Sequence, residues 1–358
     1  MKKGSMVADI KQGQPVDGIF VVMSKRLNEG KNGPYLALRL MDRTGEIEGR
    51  IWENAQDADN TFEQKDFVYI KGDALSWQGL TQVKISEITR LTDEDLADKD
   101  MDMTLFMPAT TKNRQGLWLN LLKFIKNIKT PLYKSLLSGL FHDKQTINAF
   151  ADAPAAKNLH HAYLGGLLEH CVSVARLADV VSNLYPHLNR DLLITAAILH
   201  DIGKIDEFTF ASPPIDYSSK GRLLGHSMLG LATINKVTAE LGLDEDAQEL
   251  MTLQHLILSH HGQREFGAPI LPMMEEAIVL HMIDDLDAKL NYLGSLKSGI
   301  NGAGYGWTEY QRPYGRYFYL RGEGNAEGTA AKDAAVQKNE EGKDASVQMS
   351  LWPAEDNE

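Results

Sequence analysis

The stretch Ile198-Leu199-His200-Asp201-Ile202-Gly203-Lys204, ILHDIGK, ends an otherwise apolar run, DLLITAAILHDIGK at 191–204. Helical spacing puts Leu193, Ala196, Ala197 and His200 on one face, with Asp201 directly after it. A histidine and an aspartate are therefore carried toward a core. A buried carboxylate without a partner is costly enough that it neutralises or finds a cation. What this pair meets decides whether the surrounding helices form an ordinary bundle or a bundle built around a polar centre.

Ten of the eleven histidines lie between residues 160 and 281. The pattern there is helical, from about 113 to about 300, with helices expected at 113–129, 131–141, 144–151, 162–184, 190–200, 226–241, 245–261 and 274–293. Tyr163, Leu167, His170, Val174, Leu177 and Val181 share one stripe. Leu250, Leu253, Ile257, Leu258 and His261 share another, with His260 beside it. Ala277, Leu280, His281, Asp284 and Ala288 form a third, and His226 follows the turn GRLLG. Singly, each group has a plain reading: a core histidine for His170, a salt-bridged carboxylate for Asp284, a helix C-terminus for His260 and His261. Four helices all placing such groups inward make these readings jointly expensive. A divalent metal ties them together, since imidazole and carboxylate are its common ligands.

Upstream the period changes to that of strands. DGIFVVMSKRL (17–27), PYLALRLMD (34–42), GEIEGRIWEN (45–54), DFVYIKGDALSW (66–77) and TQVKISEITRL (81–91) are β-rich runs separated by turn signals. Asp57–Phe62 can form one helical turn after the third. Five strands with a helix after the third is the order of an OB barrel, which commonly binds single strands. The expected fold is thus multidomain α+β: a five-stranded OB-fold β-barrel over 1–91, then an all-α domain. An acidic linker is expected at 92–112, the helical domain at 113–300, a Tyr/Gly-rich loop or hairpin at 301–320, and a disordered acidic tail at 321–358.

The net charge of −12 argues against a nucleic-acid partner until it is located. Residues 1–91 are neutral overall, and ten of the twelve excess negative charges fall within 92–102 and 321–358. The folded parts can therefore carry positive grooves. No run approaches the ~18 apolar residues of a membrane span, and the start, MKKGSMVADIKQGQ, lacks the apolar run of a signal peptide. The one cysteine, Cys171, excludes an intrachain disulfide and fits a cytoplasmic location.

HAYLGGLLEHC, ILHDIGK, GRLLGHS, LSHHG and LHMIDDLDAK together resemble the HD superfamily of metal phosphohydrolases. The resemblance implies His170, His200, Asp201 and Asp284 on one metal, and His226, His260 and His261 on a second. With VDGIFVV, GPYLALRLMDRTGEIEGRIW, FASPPIDYSSKGRLLGH and SHHGQREFGAP included, the chain is similar over about 7–320 to YhaM-type 3′→5′ exoribonucleases. A mixed His/Asp set suits two Mn²⁺ ions, with Co²⁺, Ni²⁺ or Fe²⁺ as substitutes, better than Mg²⁺. Asp201 is the natural bridge, and Lys204 is placed to neutralise a phosphate oxygen.

Arg222 and Arg264 flank ligand positions and are candidate phosphate grips. On the barrel, Tyr35, Trp52 and Trp77 are candidate stacking rings, with Lys25, Arg39 and Arg50 for phosphates. Tyr310, Arg312, Tyr314, Arg316 and Tyr317 form a further basic-aromatic stretch.

The expected activity is 3′→5′ trimming of single-stranded RNA, and of DNA, to 5′-mononucleotides. Two other readings stay open: a phosphohydrolase of a small nucleotide, and a non-catalytic nucleic-acid-binding protein. An oligomer is compatible with either. In the tail, Gln348, Met349, Ser350, Leu351 and Trp352 resemble the sliding-clamp docking pentapeptide, which makes a clamp a candidate partner.

Overall fold

The computed structural model of the chain describes residues 3–30, 33–77, 80–98, 101–102, 105–158, 160–210, 213–300 and 302–322. The pentapeptide at 348–352 lies outside them. By compactness the chain divides into Met1–Asp284 and Asp285–Glu358.

The first unit begins with a barrel. Strands β1 (Pro15–Gly30), β2 (Gly33–Asp42), β3 (Gly45–Ile51), β4 (Phe67–Trp77) and β5 (Leu80–Leu91) close in the order β1-β2-β3-β5-β4. All neighbours are antiparallel except β3 and β5. This is the OB order, and helix α1 (Ala55–Asp59) follows β3 as its pattern predicts. In β1 the run Ile19-Phe20-Val21-Val22 is buried on both faces. Phe20 and Val22 point into the barrel with Leu36, Leu38, Leu40, Val68 and Ile70. Ile19 and Val21 pack outside it against Phe67, Leu91, Leu96 and Phe106.

Leu96 and Phe106 belong to the segment expected to be an acidic linker. Part of it is instead helix α2 (Asp93–Asp98), and its apolar residues cover the outer face of β1. Its acidic count concealed them. The segment before β1 is also tied down. Lys3 Nζ donates to Asp42 Oδ2 at 2.7 Å, and both side chains are buried. Asp42 further accepts from Val7 N and from both Thr44 N and Thr44 Oγ1.

The helical part holds α3 (Arg114–Asn127), α4 (Pro131–Leu140), α5 (Lys144–Asp152), α6 (Gly166–Leu184), α7 (Arg190–Leu199), α8 (Lys204–Glu207), α9 (Ser219–Glu240), α10 (Gln248–Ser259) and α11 (Glu275–Ser295). A hairpin, β6 (Phe208–Thr209) with β7 (Asp216–Tyr217), separates α8 from α9. Asn189 caps α7 by accepting from Leu192 N. The run Leu192–Leu199 is wholly buried, so α7 is the central helix. The helix expected from 162 starts at Gly166, because Gly165 takes a left-handed φ of 79°. The helix expected from 226 starts at Ser219, capped by the Ser218 hydroxyl. It breaks at Gly225, whose φ of 71° and ψ of 157° are open to glycine but strained for other residues. Its second segment therefore begins at His226, as the sequence pattern indicates.

In the second unit, the rest of α11 is followed by a two-stranded sheet, β8 (Tyr305–Trp307) with β9 (Tyr319–Arg321). The sequence pattern there allows a loop or a hairpin, and the two strands pair antiparallel. Among the described residues no helix is long and apolar enough to cross a membrane.

The Lys3–Asp42 pair gives a stability prediction. Asp42→Ala strands a buried ammonium and is expected to cost about 3–5 kcal/mol in urea unfolding. Adding Lys3→Met should recover part of that loss. Equal stability of the single and double variants would show that the pair does not hold the N-terminal segment.

Candidate metal centre

Helices α6, α7, α9, α10 and α11 each send one or more polar groups to a common point. His170 comes from the first turns of α6, and His200 and Asp201 follow the end of α7. His226 opens the second segment of α9, His260 and His261 follow α10, and Asp284 lies on α11. His170, His200, Asp201 and His260 are fully buried.

Their atoms form two groups about Asp201. Oδ2 lies 3.6 Å from His170 Nε2 and 3.3 Å from His200 Nε2. Asp284 Oδ1 is 3.1 Å from His170 Nε2 and 3.8 Å from His200 Nε2, and the two imidazole nitrogens are 3.1 Å apart. Oδ1 faces the other way, 3.5 Å from His226 Nε2 and 3.8 Å from His260 Nε2. His226 Nε2 and His261 Nε2 are 2.9 Å apart. All seven residues mapped from the sequence are thus brought together, with one carboxylate between two sets.

The arrangement fits metal ions on three counts. Asp201 Oδ1 and His260 Nε2 are buried and without a hydrogen-bond partner, a costly condition that an ion relieves. Nδ1–H of His200 donates to Ala197 O at 3.1 Å, and that of His260 to Ile257 O at 2.6 Å. A neutral ring donating from Nδ1 keeps a lone pair on Nε2, the nitrogen turned to the centre here. Donors about 2.0–2.2 Å from one ion stand roughly 3–4 Å from each other, which is the spacing found.

Burial would raise the carboxyl of Asp201, but Lys204 and then His200 outweigh it and hold the group well below the usual carboxylate range. Burial likewise acts against ionising Asp284, yet the His170 contact keeps its carboxyl low. Lys204 Nζ donates to Asp201 Oδ2 at 2.5 Å. Burial opposes the charge on Lys204, and Asp201 more than restores it, so its pKa rises. Lys204 is therefore a buried cation at the centre, not a solvated helix-end lysine. Burial and neighbouring imidazoles push His260 down, and burial and His226 push His261 down to about 4. Burial, and next the Lys204 charge, push His160 down to about 4.

Several positioning groups escaped the sequence reading. Buried Glu207 accepts from both His226 N and His226 Nδ1, at 2.9 and 3.0 Å. It thus caps the broken end of α9 and orients the His226 ring. The available signal was a carboxylate one turn beyond Lys204, set between Ile205 and Phe208. Gly203 is required by close approach: a Cβ there would stand 2.0 Å from His226 O. His281, which the sequence pattern already sets on the Asp284 stripe, donates from Nδ1 to His260 O at 3.0 Å and braces that loop. Buried Glu169 bonds Thr110 and pairs with Lys112.

The substrate candidates are more scattered. Arg222 pairs with Asp216 at 3.0 Å, beside Lys157 and Lys65 on the same carboxylate. Arg264 is exposed on a short turn after the histidine pair. On the barrel, Tyr35 and Trp52 stack at 4.7 Å, and the Arg50 guanidinium lies 5.6 Å from the Tyr35 ring centre. Trp77 is exposed at the end of β4. Arg39 is exposed and pairs with Glu46. It lines a groove of about 630 Å³ with Arg26, Leu38, Ile47 and Glu48. Lys25 is engaged inside the fold, donating to Asp59 O and Phe62 O beside Asp59 and Glu63, so it secures α1 and is not a free cation.

The HD domain family model matches residues 167–289. The 3'-5' exoribonuclease YhaM of Bacillus subtilis (strain 168) is 34% identical over 296 residues, covering 82% of this chain and 90% of that protein. That of Bacillus pumilus (strain SAFR-032) is 36% identical over the same shares. The second OB-fold domain of replication protein A from Methanococcus maripaludis covers 25% of this chain and 95% of its own, at 18% identity and a TM-score of 0.22. So slight a likeness carries no weight, and the barrel rests on its strand order.

Two outcomes are expected of the centre itself. Glu207→Ala should weaken divalent-ion binding about 10–100-fold by calorimetry, the usual effect of losing a ligand's supporting group; an unchanged affinity would remove Glu207 from this role. Without metal, stability should fall as pH drops from about 6.5, the ordinary histidine value, toward about 4. The unfolded chain binds protons there that folded His260 and His261 refuse. Melting temperatures in chelator that stay flat over this window would contradict it.

Proposed function

Since the chain belongs to the YhaM family of 3′–5′ exoribonucleases, we propose that it degrades single-stranded RNA from the 3′ end, releasing 5′-mononucleotides, with single-stranded DNA as a second substrate. One observation carries the reading: the Asp201 carboxylate stands between two histidine sets, with Oδ1 and His260 Nε2 buried and unpaired.

His170, His200, Asp284 and Asp201 Oδ2 would hold one divalent ion; His226, His260, His261 and Asp201 Oδ1 would hold a second. When bound, such ions supply Lewis acidity to the phosphodiester oxygens and lower the pKa of water at the site. Manganese suits this donor set, with cobalt, nickel or iron as substitutes.

The chain's own residues supply the rest. Lys204, buried and kept charged by Asp201, offers a cation to the phosphate as negative charge builds up. His160 stays neutral at physiological pH and can share a hydrogen bond with the terminal nucleotide. Glu207 and His281 fix the ligand-bearing backbone, so little has to move during the reaction. Arg222 and Arg264 are taken as outer phosphate contacts. The barrel over 1–91 grips the strand through Tyr35, Trp52 and Trp77, with Arg39 and Arg50 at its phosphates. Residues 113–300 carry the chemistry. A lone buried thiol, Cys171, suits a cytoplasmic setting. The clamp remains a proposed partner through 348–352.

The test is a ladder assay on 5′-labelled single-stranded RNA and DNA, with metal analysis of the same sample. Asp201→Ala is expected to lower turnover by several orders of magnitude while strand binding stays measurable. Retention of more than about a tenth of parental turnover would falsify the site assignment.

A further inference from the structure

The sheet formed by β8 and β9 carries an aromatic face that the nuclease chemistry does not use. Register sets Tyr305 opposite Arg321 and Trp307 opposite Tyr319, so these four side chains share one face. Gly306 and Leu320 take the other, and Gly306 sits against the buried Ile300. On the outer face the rings are bare: Tyr305 is 65%, Trp307 68% and Tyr319 55% exposed. They are nonetheless ordered against one another. Tyr305 and Tyr319 stack at 5.5 Å, and Trp307 lies 5.0 Å from Tyr319.

Burying three large rings is worth so much that leaving them in water marks a binding surface. Composition selects the occupant. The face has no aliphatic side chain, whereas the core of an interface between copies of a chain is rich in apolar side chains of all kinds. Within 297–321 stand Lys297, Arg312, Arg316 and Arg321 against Glu309 alone, in a chain whose net charge is −12. Aromatic rings beside a local excess of cations match the flat bases and anionic backbone of a single strand.

We propose that Tyr305, Trp307 and Tyr319 form a stacking platform for single-stranded RNA, with Arg321 at its phosphates, as a second grip besides the barrel. This rests on the reading of the chain as a nuclease of single strands.

The test uses the full chain, in chelator to stop cleavage, and the anisotropy of a labelled single-stranded RNA of about 20 nucleotides. Trp307→Ala with Tyr319→Ala should raise Kd about tenfold or more, the scale of losing one or two stacked bases. Trp307→Phe with Tyr319→Phe keeps the rings and should bind nearly as the parent does. Unchanged affinity in the alanine pair overturns the platform, as does equal weakening by both pairs. A change of subunit number by light scattering, without loss of affinity, overturns it too and assigns the face to a second copy. If the parent shortens RNA once divalent metal is restored while the alanine pair binds equally well, the platform alone fails. If the parent with metal restored leaves RNA intact, the functional reading fails and the platform with it.

Discussion

Everything in the helical part answers to one carboxylate. Asp201 is buried at the end of the central helix, and each of its oxygens faces a separate set of imidazoles. A charge in that position is tolerable only if cations meet it. Lys204 is one such cation, bound to Oδ2, and Oδ1 is buried without a hydrogen-bond partner, facing the His226 set. Of the five helices that meet here, α7 and α10 end and α9 breaks, while His170 and Asp284 lie within α6 and α11. His200 and His261 come just past helix ends, and His226 follows a glycine break.

That demand reaches outward through layers of support. Glu207 holds His226, His281 holds the His260 backbone, and main-chain carbonyls fix the rings of His200 and His260. Each contact selects a ring tautomer or a backbone path. The result is a site organised before anything binds, as catalysis by charge stabilisation requires. The barrel needs no such arrangement. Its closure depends on strand order and an apolar interior, which leaves the outer surfaces of β2 and β3 free to carry Tyr35, Trp52 and Arg50. The two parts are thus built from different materials: buried charges in the helices, and rings at the surface of the barrel.

Charge distribution follows the same division. The chain is acidic overall, yet 1–91 is neutral and 297–321 is positive. An acidic protein can handle a polyanion when its negative charge lies away from the surfaces that touch it. Asp216 shows a local version of this balance. Lys65 from the barrel and Lys157 and Arg222 from the helical part all converge on its carboxylate. Lys157 and Lys65 hold that carboxyl far below its usual range.

Much of this was legible from residues alone, for a definite reason. Period-two and period-3.6 patterns report which side of an element is buried, so the five strands, the central helix and the inward positions of His170, His200 and Asp284 followed from spacing. The glycine in GRLLGHS likewise marked the start of a new helical segment at His226. Spacing says nothing about which inward groups meet across the fold. Only the tertiary structure decided which oxygen of Asp201, the expected bridge, faces which set, that Lys25 is spent on α1 while Lys204 is buried, and that Glu207 rather than a nearer residue orients His226. It also decided that Leu96 and Phe106, hidden among acidic residues, close the outer face of the barrel. These are contacts between residues far apart in the chain or on different elements, set by how elements pack, and a one-dimensional pattern carries no term for them.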